Sequence, residues 1–174
     1  MTSLSEVHVL IVDDNRQMRL LTRALLRAVG ILRVTEADTA RAAFDVMSAT
    51  QVDLVLADWK MQPIDGISFT RMARMEGPNP YVPILMMTAY TEMSRVAAAR
   101  DAGVSGFVKK PISAKILLER ISSALTDERL FVRTEDFFGP DRRRGEHPDY
   151  RGPFRRDTDS AGETLDLDDT RWRA

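Results

Sequence analysis

The chain has 174 residues, of which 44% are apolar, enough for one domain of ordinary size with its own core but not for two full domains. It contains no cysteine, which excludes a disulfide framework, thiolate zinc sites and cysteine nucleophiles. The net charge of −1 provides no global field that would recruit nucleic acid or a membrane. Its apolar runs are far shorter than the ~20 residues that span a bilayer, so we expect no membrane segment and a soluble, cytoplasmic protein. We also expect no DNA-binding domain.

Short apolar runs alternate with helical periodicity as far as Leu125. The runs predict five strands, at residues 9–12, around 34, and at 54–57, 84–87 and 107–108. The helical stripes are Met18, Leu21, Leu25 and Val29, then Leu117, Ile121 and Leu125, with weaker patterns over 39–48, 66–75 and 93–102. The strands lack polar alternation, which is typical of strands buried on both faces, and parallel strands need crossover helices. We therefore predict an α/β domain with a five-stranded, doubly wound parallel sheet.

Polar residues follow four of the predicted strands. Asp13 and Asp14 come after the first, Asp58 ends the third, Thr88 ends the fourth and Lys110 follows the fifth. Each alone would fit a turn or a helix cap, but the carboxyl ends of parallel strands share one sheet edge, where ligands bind. Three neighbouring carboxylates raise one another's pKa unless a cation neutralises them. Oxygen ligands without imidazole or thiolate favour Mg²⁺, and one carboxylate could then attack phosphorus.

Several short motifs surround these residues: Asp13-Asp14, Met18-Arg19, Ala57-Asp58-Trp59, Asp65-Gly66, Thr88-Ala89, Asp101-Ala102-Gly103 and Phe107-Val108-Lys109-Lys110-Pro111. Together they resemble the receiver domain of two-component response regulators of the CheY-like type. The resemblance covers about residues 5–125. It implies a flavodoxin-like fold with strand order 2-1-3-4-5, and it sets the receiver at residues 1–125.

The resemblance also implies roles for the clustered residues. Asp58 would be the phosphoacceptor, Asp14 would bind Mg²⁺ directly, Asp13 would bind it through water, and the backbone carbonyl of Lys60 would be a further ligand. Such receivers are signalling proteins rather than enzymes, and they support only their own phosphotransfer and autodephosphorylation. The implied phosphate donor is a histidine kinase or a phosphotransfer protein.

The same resemblance makes Thr88 and Phe107 the switch pair and Lys110 the phosphate-contacting lysine. Phe107 stands where tyrosine is usual, so its rotation cannot depend on a phenolic hydrogen bond. The implied downstream partner is the flagellar motor switch or another signalling protein, which would dock on the fourth helix, fifth strand and fifth helix.

The remaining segment, residues 126–174, has a different composition, and we place the domain boundary near residue 126. It carries ten arginines and no lysine, and residues 138–144 and 151–157 form an imperfect repeat rich in arginine, glycine and proline. Its low apolar content predicts disorder in isolation. Arginine binds phosphate bidentately, stacks on flat rings and donates to guanine.

These features fit cyclic di-GMP, and the tail resembles that of the Cle class of CheY-like regulators, which bind this ligand. The predicted ligand-binding residues are Asp141, Arg142, Arg143, Arg144, Arg151, Arg155, Arg156 and Asp157. Single-stranded nucleic acid and an acidic protein surface are alternative ligands. In the other functional hypothesis, the chain is a phosphorelay receiver and the tail is only a tether or a protein-interaction segment.

Overall fold

Five parallel strands form the central sheet of the computed structural model, which describes residues 4–89, 96–127, 129, 131–134 and 137–141. The elements are β1 His8–Val12, α1 Arg16–Ala28, β2 Arg33–Ala37, α2 Ala40–Ala49, β3 Leu54–Asp58, α3 Gly66–Met75, β4 Ile84–Thr88, α4 Val96–Ala102, β5 Gly106–Lys109, α5 Ala114–Leu125, β6 Phe131–Arg133 and β7 Phe138–Pro140. The sheet order is β2-β1-β3-β4-β5, and every neighbouring pair in it is parallel. The predicted doubly wound sheet with order 2-1-3-4-5 is thus confirmed.

Alternate residues of the central strands pack on opposite faces of the sheet. Leu10 and Val55 belong to the core under α2 and α3, whereas Val9, Ile11 and Leu54 belong to the core under α1 and α5. Because both faces are covered, β1, β3 and β4 are buried throughout, which explains why their sequences show no polar alternation. Within the described ranges, no helix is both long and apolar enough to cross a bilayer.

Polar side chains begin four of the helices at the edge where the strands end. Asn15 accepts hydrogen bonds from the first backbone amides of α1, and Thr39, Asp65 and Ser113 do the same for α2, α3 and α5. These caps satisfy amide groups that have no partner inside the helix. They also fix each strand-to-helix loop at the edge that carries the predicted site residues.

The chain after α5 departs from the sequence-based expectation. The sequence predicts disorder in isolation for residues 126–174, whereas in the full chain β6 and β7 pair as an antiparallel hairpin. All of β7 is buried, including Phe138. The structure thus places two short strands in the segment that was predicted to be disordered in isolation, and residues 142–174 lie outside the described part of the chain.

The hairpin packs at the sheet edge where the strands begin, against the turn between α4 and β5. A Cβ atom on Gly103 would lie 2.7 Å from the Phe138 carbonyl oxygen, and one on Gly139 would lie 2.8 Å from the Gly103 Cα atom. Arg129 adds a hydrogen bond of 2.8 Å from its guanidinium to the Ser105 carbonyl oxygen. The backbones therefore meet directly, and glycine is required on both sides of the contact.

Arg74, at the end of α3, lies buried beneath the hairpin. Its guanidinium donates hydrogen bonds of 2.7 to 2.9 Å to the carbonyl oxygens of Gly103, Pro80 and Val82, and it lies 5.3 Å from the centre of the Phe131 ring. Burial lowers the pKa of Arg74 to about 9, so the group remains charged at neutral pH. A buried cation solvated by backbone carbonyls and covered by an aromatic ring thus joins α3, two loops and the hairpin.

Candidate metal centre and phosphoacceptor site

Three carboxylates meet at the edge where the strands end, as the sequence predicted. Asp13 follows β1, Asp14 comes next in the loop to α1, and Asp58 is the last residue of β3. One oxygen from each of the three lies within 4.8 Å of the others. Asp13 and Asp58 are buried and Asp14 is exposed, so the cluster is buried on one side and open to water on the other.

Asp13 has the least satisfied carboxylate of the three. It is 1% exposed, and its Oδ1 atom accepts a hydrogen bond of 2.8 Å from the Asn15 amide, but its buried Oδ2 atom has no hydrogen-bond partner among the described residues. Burial raises the pKa of Asp13, the Asn15 amide opposes that shift, and the nearby Asp58 charge adds to it. An orphaned oxygen in an all-oxygen cluster with one open side fits Mg²⁺, which keeps several of its waters when bound.

Asp14 and Lys60 lie on the open side of the cluster. The Oδ2 atom of Asp14 accepts a hydrogen bond of 3.2 Å from the Gln62 amide, which ties the β1–α1 loop to the β3–α3 loop. Lys60 is exposed in that second loop, two residues after Asp58. The use of its carbonyl as a metal ligand stays a prediction.

Lys110 provides the cation of the site. Its Nζ atom lies 2.6 Å from Asp58 Oδ1 and 3.9 Å from Asp13 Oδ2. Its backbone amide also donates a hydrogen bond of 2.7 Å to the Thr88 carbonyl oxygen, which fixes the end of β5 beside β4. The lysine and the expected phosphoacceptor are thus in direct contact, as their positions at the ends of β5 and β3 predicted.

Thr88 and Phe107 lie in neighbouring strands behind the carboxylates. Thr88 is fully buried at the end of β4, and Phe107 is 5% exposed. The Phe107 ring stacks on Trp59, with centroids 6.4 Å apart and an interplanar angle of 28°. Together with Val96 and Ala99 of α4, these rings form a separate apolar cluster, so the inward position of Phe107 depends on packing.

Sequence reasoning missed the roles of two residues near the site. Trp59, directly after Asp58, is buried, and within the described part of the chain its indole Nε1 atom has no hydrogen-bond partner. Arg19 donates a hydrogen bond of 2.7 Å to the Asp13 carbonyl oxygen. Their only sequence signal was membership of the Asp58-Trp59 and Met18-Arg19 motifs.

Of the predicted tail residues, the structure describes Asp141 alone, and it does not lie at this site. Asp141 is the last described residue, directly after β7, at the sheet edge opposite the carboxylates. The other predicted ligand-binding residues lie outside the described part of the chain; they are Arg142, Arg143, Arg144, Arg151, Arg155, Arg156 and Asp157.

Comparison with known proteins identifies the family. A family model described as the response regulator receiver domain matches residues 9–122. The chain belongs to this family. The receiver is 34% identical over 125 residues to the chemotaxis protein CheY of Pseudomonas aeruginosa, an alignment that covers 72% of this chain and 96% of that protein.

Solved structures agree with the assignment of the receiver. Chemotaxis protein CheY4 of Vibrio cholerae has a TM-score of 0.64 and 27% identity, over 68% of this chain and 98% of that one. The receiver domain of a Pseudomonas aeruginosa sensor histidine kinase has a TM-score of 0.63 and 26% identity, over 70% and 98%. That domain was solved with a magnesium ion coordinated in its active-site cleft, and receivers of this family bind Mg²⁺ in the corresponding acidic pocket. The β6–β7 hairpin lies beyond the residues that the family model matches.

Proposed function

We propose that this receiver is a CheY-like response regulator that accepts a phosphoryl group on Asp58 from a histidine kinase or a phosphotransfer protein. The observation that carries the proposal is the position of Asp58, with Lys110 Nζ at 2.6 Å and two further carboxylates within 4.8 Å. Asp13, Asp14, Asp58 and the Lys60 carbonyl would hold Mg²⁺. When bound, this ion would neutralise charge that develops on the transferred phosphoryl group.

The chain's own residues account for the rest of the reaction. An oxygen of Asp58 attacks phosphorus, the bond from phosphorus to the donor nitrogen breaks, and an acyl phosphate forms while the donor leaves with the bonding electrons. Lys110 already touches an Asp58 oxygen, so its ammonium group can bind a phosphoryl oxygen after transfer. Thr88 ends the next strand and supplies a hydroxyl on the same edge. Water then hydrolyses the acyl phosphate, which returns Asp58 to its carboxylate form and releases inorganic phosphate.

The test is phosphorylation in vitro, measured by intact mass. Acetyl phosphate with MgCl₂ should add one phosphoryl group to the full chain, and a chelator should prevent the addition. Asp58→Asn should not be labelled, whereas Asp45→Asn, on the exposed face of α2, provides a control with the same change in charge. Equal labelling of Asp58→Asn and the unchanged chain would contradict the assignment.

We propose in addition that phosphorylation is transmitted through Thr88 and Phe107 to a face formed by α4, β5 and α5, where a signalling partner such as the flagellar motor switch docks. The packing of Phe107 on Trp59 supports this, because rotation of Phe107 would change the surroundings of the indole. Beryllium fluoride, a phosphoryl analogue, should therefore change Trp59 fluorescence. An unchanged spectrum at saturation would contradict this switch.

A second proposed activity, binding of cyclic di-GMP by the tail, is supported by the repeated arginine motif of residues 138–144 and 151–157. Buried Phe138 is not available to stack on a guanine, so stacking would fall to Tyr150 and Phe154. Calorimetry on the full chain should detect binding, and Arg143→Lys should weaken it, because lysine keeps the charge but loses the planar fork.

The alternative roles of the tail predict different results for calorimetry on the full chain and on Arg143→Lys. Tail binding to single-stranded nucleic acid or to an acidic protein surface would tolerate lysine and weaken steeply with added salt. A tail that is only a tether would leave the heat of titration at zero, and the chain would then be a phosphorelay receiver that passes its phosphoryl group onward. Transfer from phosphorylated Asp58 to a histidine phosphotransfer protein would support that alternative.

A further inference from the structure

Arg19, in the second turn of α1, contacts the main chain of the carboxylate loop. Its Nη1 atom donates a hydrogen bond of 2.7 Å to the Asp13 carbonyl oxygen, and its Nε atom lies 3.3 Å from Glu36 Oε2 on β2. The side chain is only 14% exposed. One planar guanidinium therefore joins the loop that carries Asp13 and Asp14 to the neighbouring strand.

This contact controls the orientation of a peptide plane in the site. The Asp13 carbonyl and the Asp14 amide belong to the same rigid peptide unit. The Asp13 amide, on the other side of that residue, donates a hydrogen bond of 3.1 Å to the Ala37 carbonyl oxygen. With both ends of Asp13 fixed, the direction in which the chain enters Asp14 is also fixed.

The loop needs such a restraint because its charges oppose the arrangement. Asp13, Asp14 and Asp58 lie within 4.8 Å of one another, and like charges at that distance repel. A loop free to relax would move its carboxylates apart, and the cation would then have to bring them together again. Groups that orient metal ligands from outside the ligand set typically contribute about 10- to 100-fold to metal affinity.

Glu36 holds Arg19 in the required position. The Glu36 carboxylate faces two guanidinium groups, Arg19 through Oε2 at 3.3 Å and Arg23 through Oε1 at 3.1 Å. Arg23 lies one turn further along α1 and is 39% exposed. Arg19 thus spans two acceptors, a carboxylate on β2 and a carbonyl in the loop, which the single ammonium of lysine cannot reproduce with the same geometry.

We propose that Arg19 is a positioning residue for the magnesium site, which it preorganises through the Asp13 carbonyl, with Glu36 orienting it. The inference rests on the proposed function, since it concerns the same cluster of carboxylates. Arg19→Gln should weaken Mg²⁺ binding by roughly 10- to 100-fold. It should raise the Mg²⁺ concentration needed for half-maximal phosphorylation and leave the rate at saturating Mg²⁺ nearly unchanged.

The experiment titrates MgCl₂ into the full chain without any phosphodonor. Calorimetry gives the dissociation constant directly. The fluorescence of Trp59, which adjoins Asp58, gives a second measurement in a Trp172→Phe background, where it is the only tryptophan.

Arg23→Gln is the matched control, because it removes the same charge and a contact to the same Glu36 carboxylate. Its hydrogen bond goes to Glu36, whereas Arg19 also bonds to the Asp13 carbonyl. Arg23→Gln should therefore retain most of the Mg²⁺ affinity. Arg19→Lys should remain weakened, since it restores the charge without the two-acceptor geometry.

Three results would overturn the proposal. They are an unchanged dissociation constant in Arg19→Gln, an equal loss in Arg23→Gln, and full recovery in Arg19→Lys. If Arg19→Gln does not fold, as judged by its circular dichroism melt, Glu36→Gln replaces it and should weaken Mg²⁺ binding in the same direction; unchanged binding there would overturn the proposal.

Failure of this proposal and failure of the proposed function give different results. If the unchanged chain binds Mg²⁺ and is labelled on Asp58 while Arg19→Gln binds Mg²⁺ equally well, only the positioning role is wrong. If the unchanged chain neither binds Mg²⁺ nor accepts a phosphoryl group, the proposed function itself is wrong.

Discussion

Replacing Gly139 with alanine should detach the C-terminal hairpin from the receiver. The added Cβ atom would lie 2.8 Å from the Gly103 Cα atom and 2.9 Å from Phe137 Cζ, distances too short for carbon atoms in contact. Gly139 is not among the described glycines with positive φ, so the effect is steric and involves no strain from a left-handed backbone. Insertion of a methyl group into a packed contact costs about 1 to 3 kcal/mol.

The hairpin can release this strain by local undocking, since it lies at the end of the described fold. The cost should therefore appear in local opening rather than in global unfolding. Hydrogen exchange of the Thr134 amide, which donates to the Phe137 carbonyl oxygen within the hairpin, should accelerate by roughly 5- to 150-fold, the equivalent of about 1 to 3 kcal/mol. Exchange of the Leu10 amide in the central strand β1 should not change.

A matched control in the same hairpin is Thr134→Ala, because the Thr134 side chain is exposed. It should leave the hairpin docked and the exchange rates close to those of the unchanged chain. Unaltered exchange in Gly139→Ala, or equal acceleration in both variants, would refute the reasoning about the glycine contact.

Three further predictions concern charged residues of the carboxylate site and the interior. Asp13→Asn should raise the melting temperature at pH 7 without Mg²⁺ and remove the stabilisation by added Mg²⁺. Burial raises the Asp13 pKa above 3.8, so the folded state binds more protons than the unfolded state between 3.8 and that raised value. The contribution of Asp13 to stability then falls as pH rises through this window, and the advantage of asparagine should disappear in melts below pH 3.8. Lys110→Ala should slow labelling by acetyl phosphate, because Asp58 loses its contact at 2.6 Å, while the circular dichroism spectrum stays native; an unchanged labelling rate would exclude the phosphate-binding role. Arg74→Lys should lower the free energy of unfolding in urea by about 2 kcal/mol or more, because a buried carbonyl left without a donor costs about 1 to 3 kcal/mol; equal stability would show that the fork at Arg74 is dispensable.

The central sheet was predictable because burial on both faces leaves a strong signal in the sequence. The run at residues 54–57 is apolar without interruption, and its strand contributes to both cores. Once the strands are parallel, their ends must share an edge, so the meeting of Asp13, Asp58 and Lys110 follows from topology. The carboxylate site could therefore be predicted without knowing any individual long-range side-chain contact.

The hairpin was not predictable in this way. Its strands are three residues long, and β7 contains Gly139 and Pro140, residue types that normally argue against a strand. What holds it is the close approach to Gly103 and the covering of Arg74 by Phe131, contacts between segments distant in sequence. The role of Arg19 was not predicted for a related reason. Its partner is a backbone carbonyl, and residue types in a sequence do not indicate contacts with the backbone.

The docked hairpin sets the position of Asp141, at the end of the described chain. Asp58 lies where the strands end, whereas β7 packs against Gly103, which precedes β5 and so lies where the strands begin. A strand of five residues separates the two edges by about 16 Å. Asp141, the last described residue, therefore lies at the opposite edge of the sheet from Asp58. A kinase or phosphotransfer protein that reaches Asp58 from the carboxylate edge would therefore not have to displace the β6–β7 hairpin.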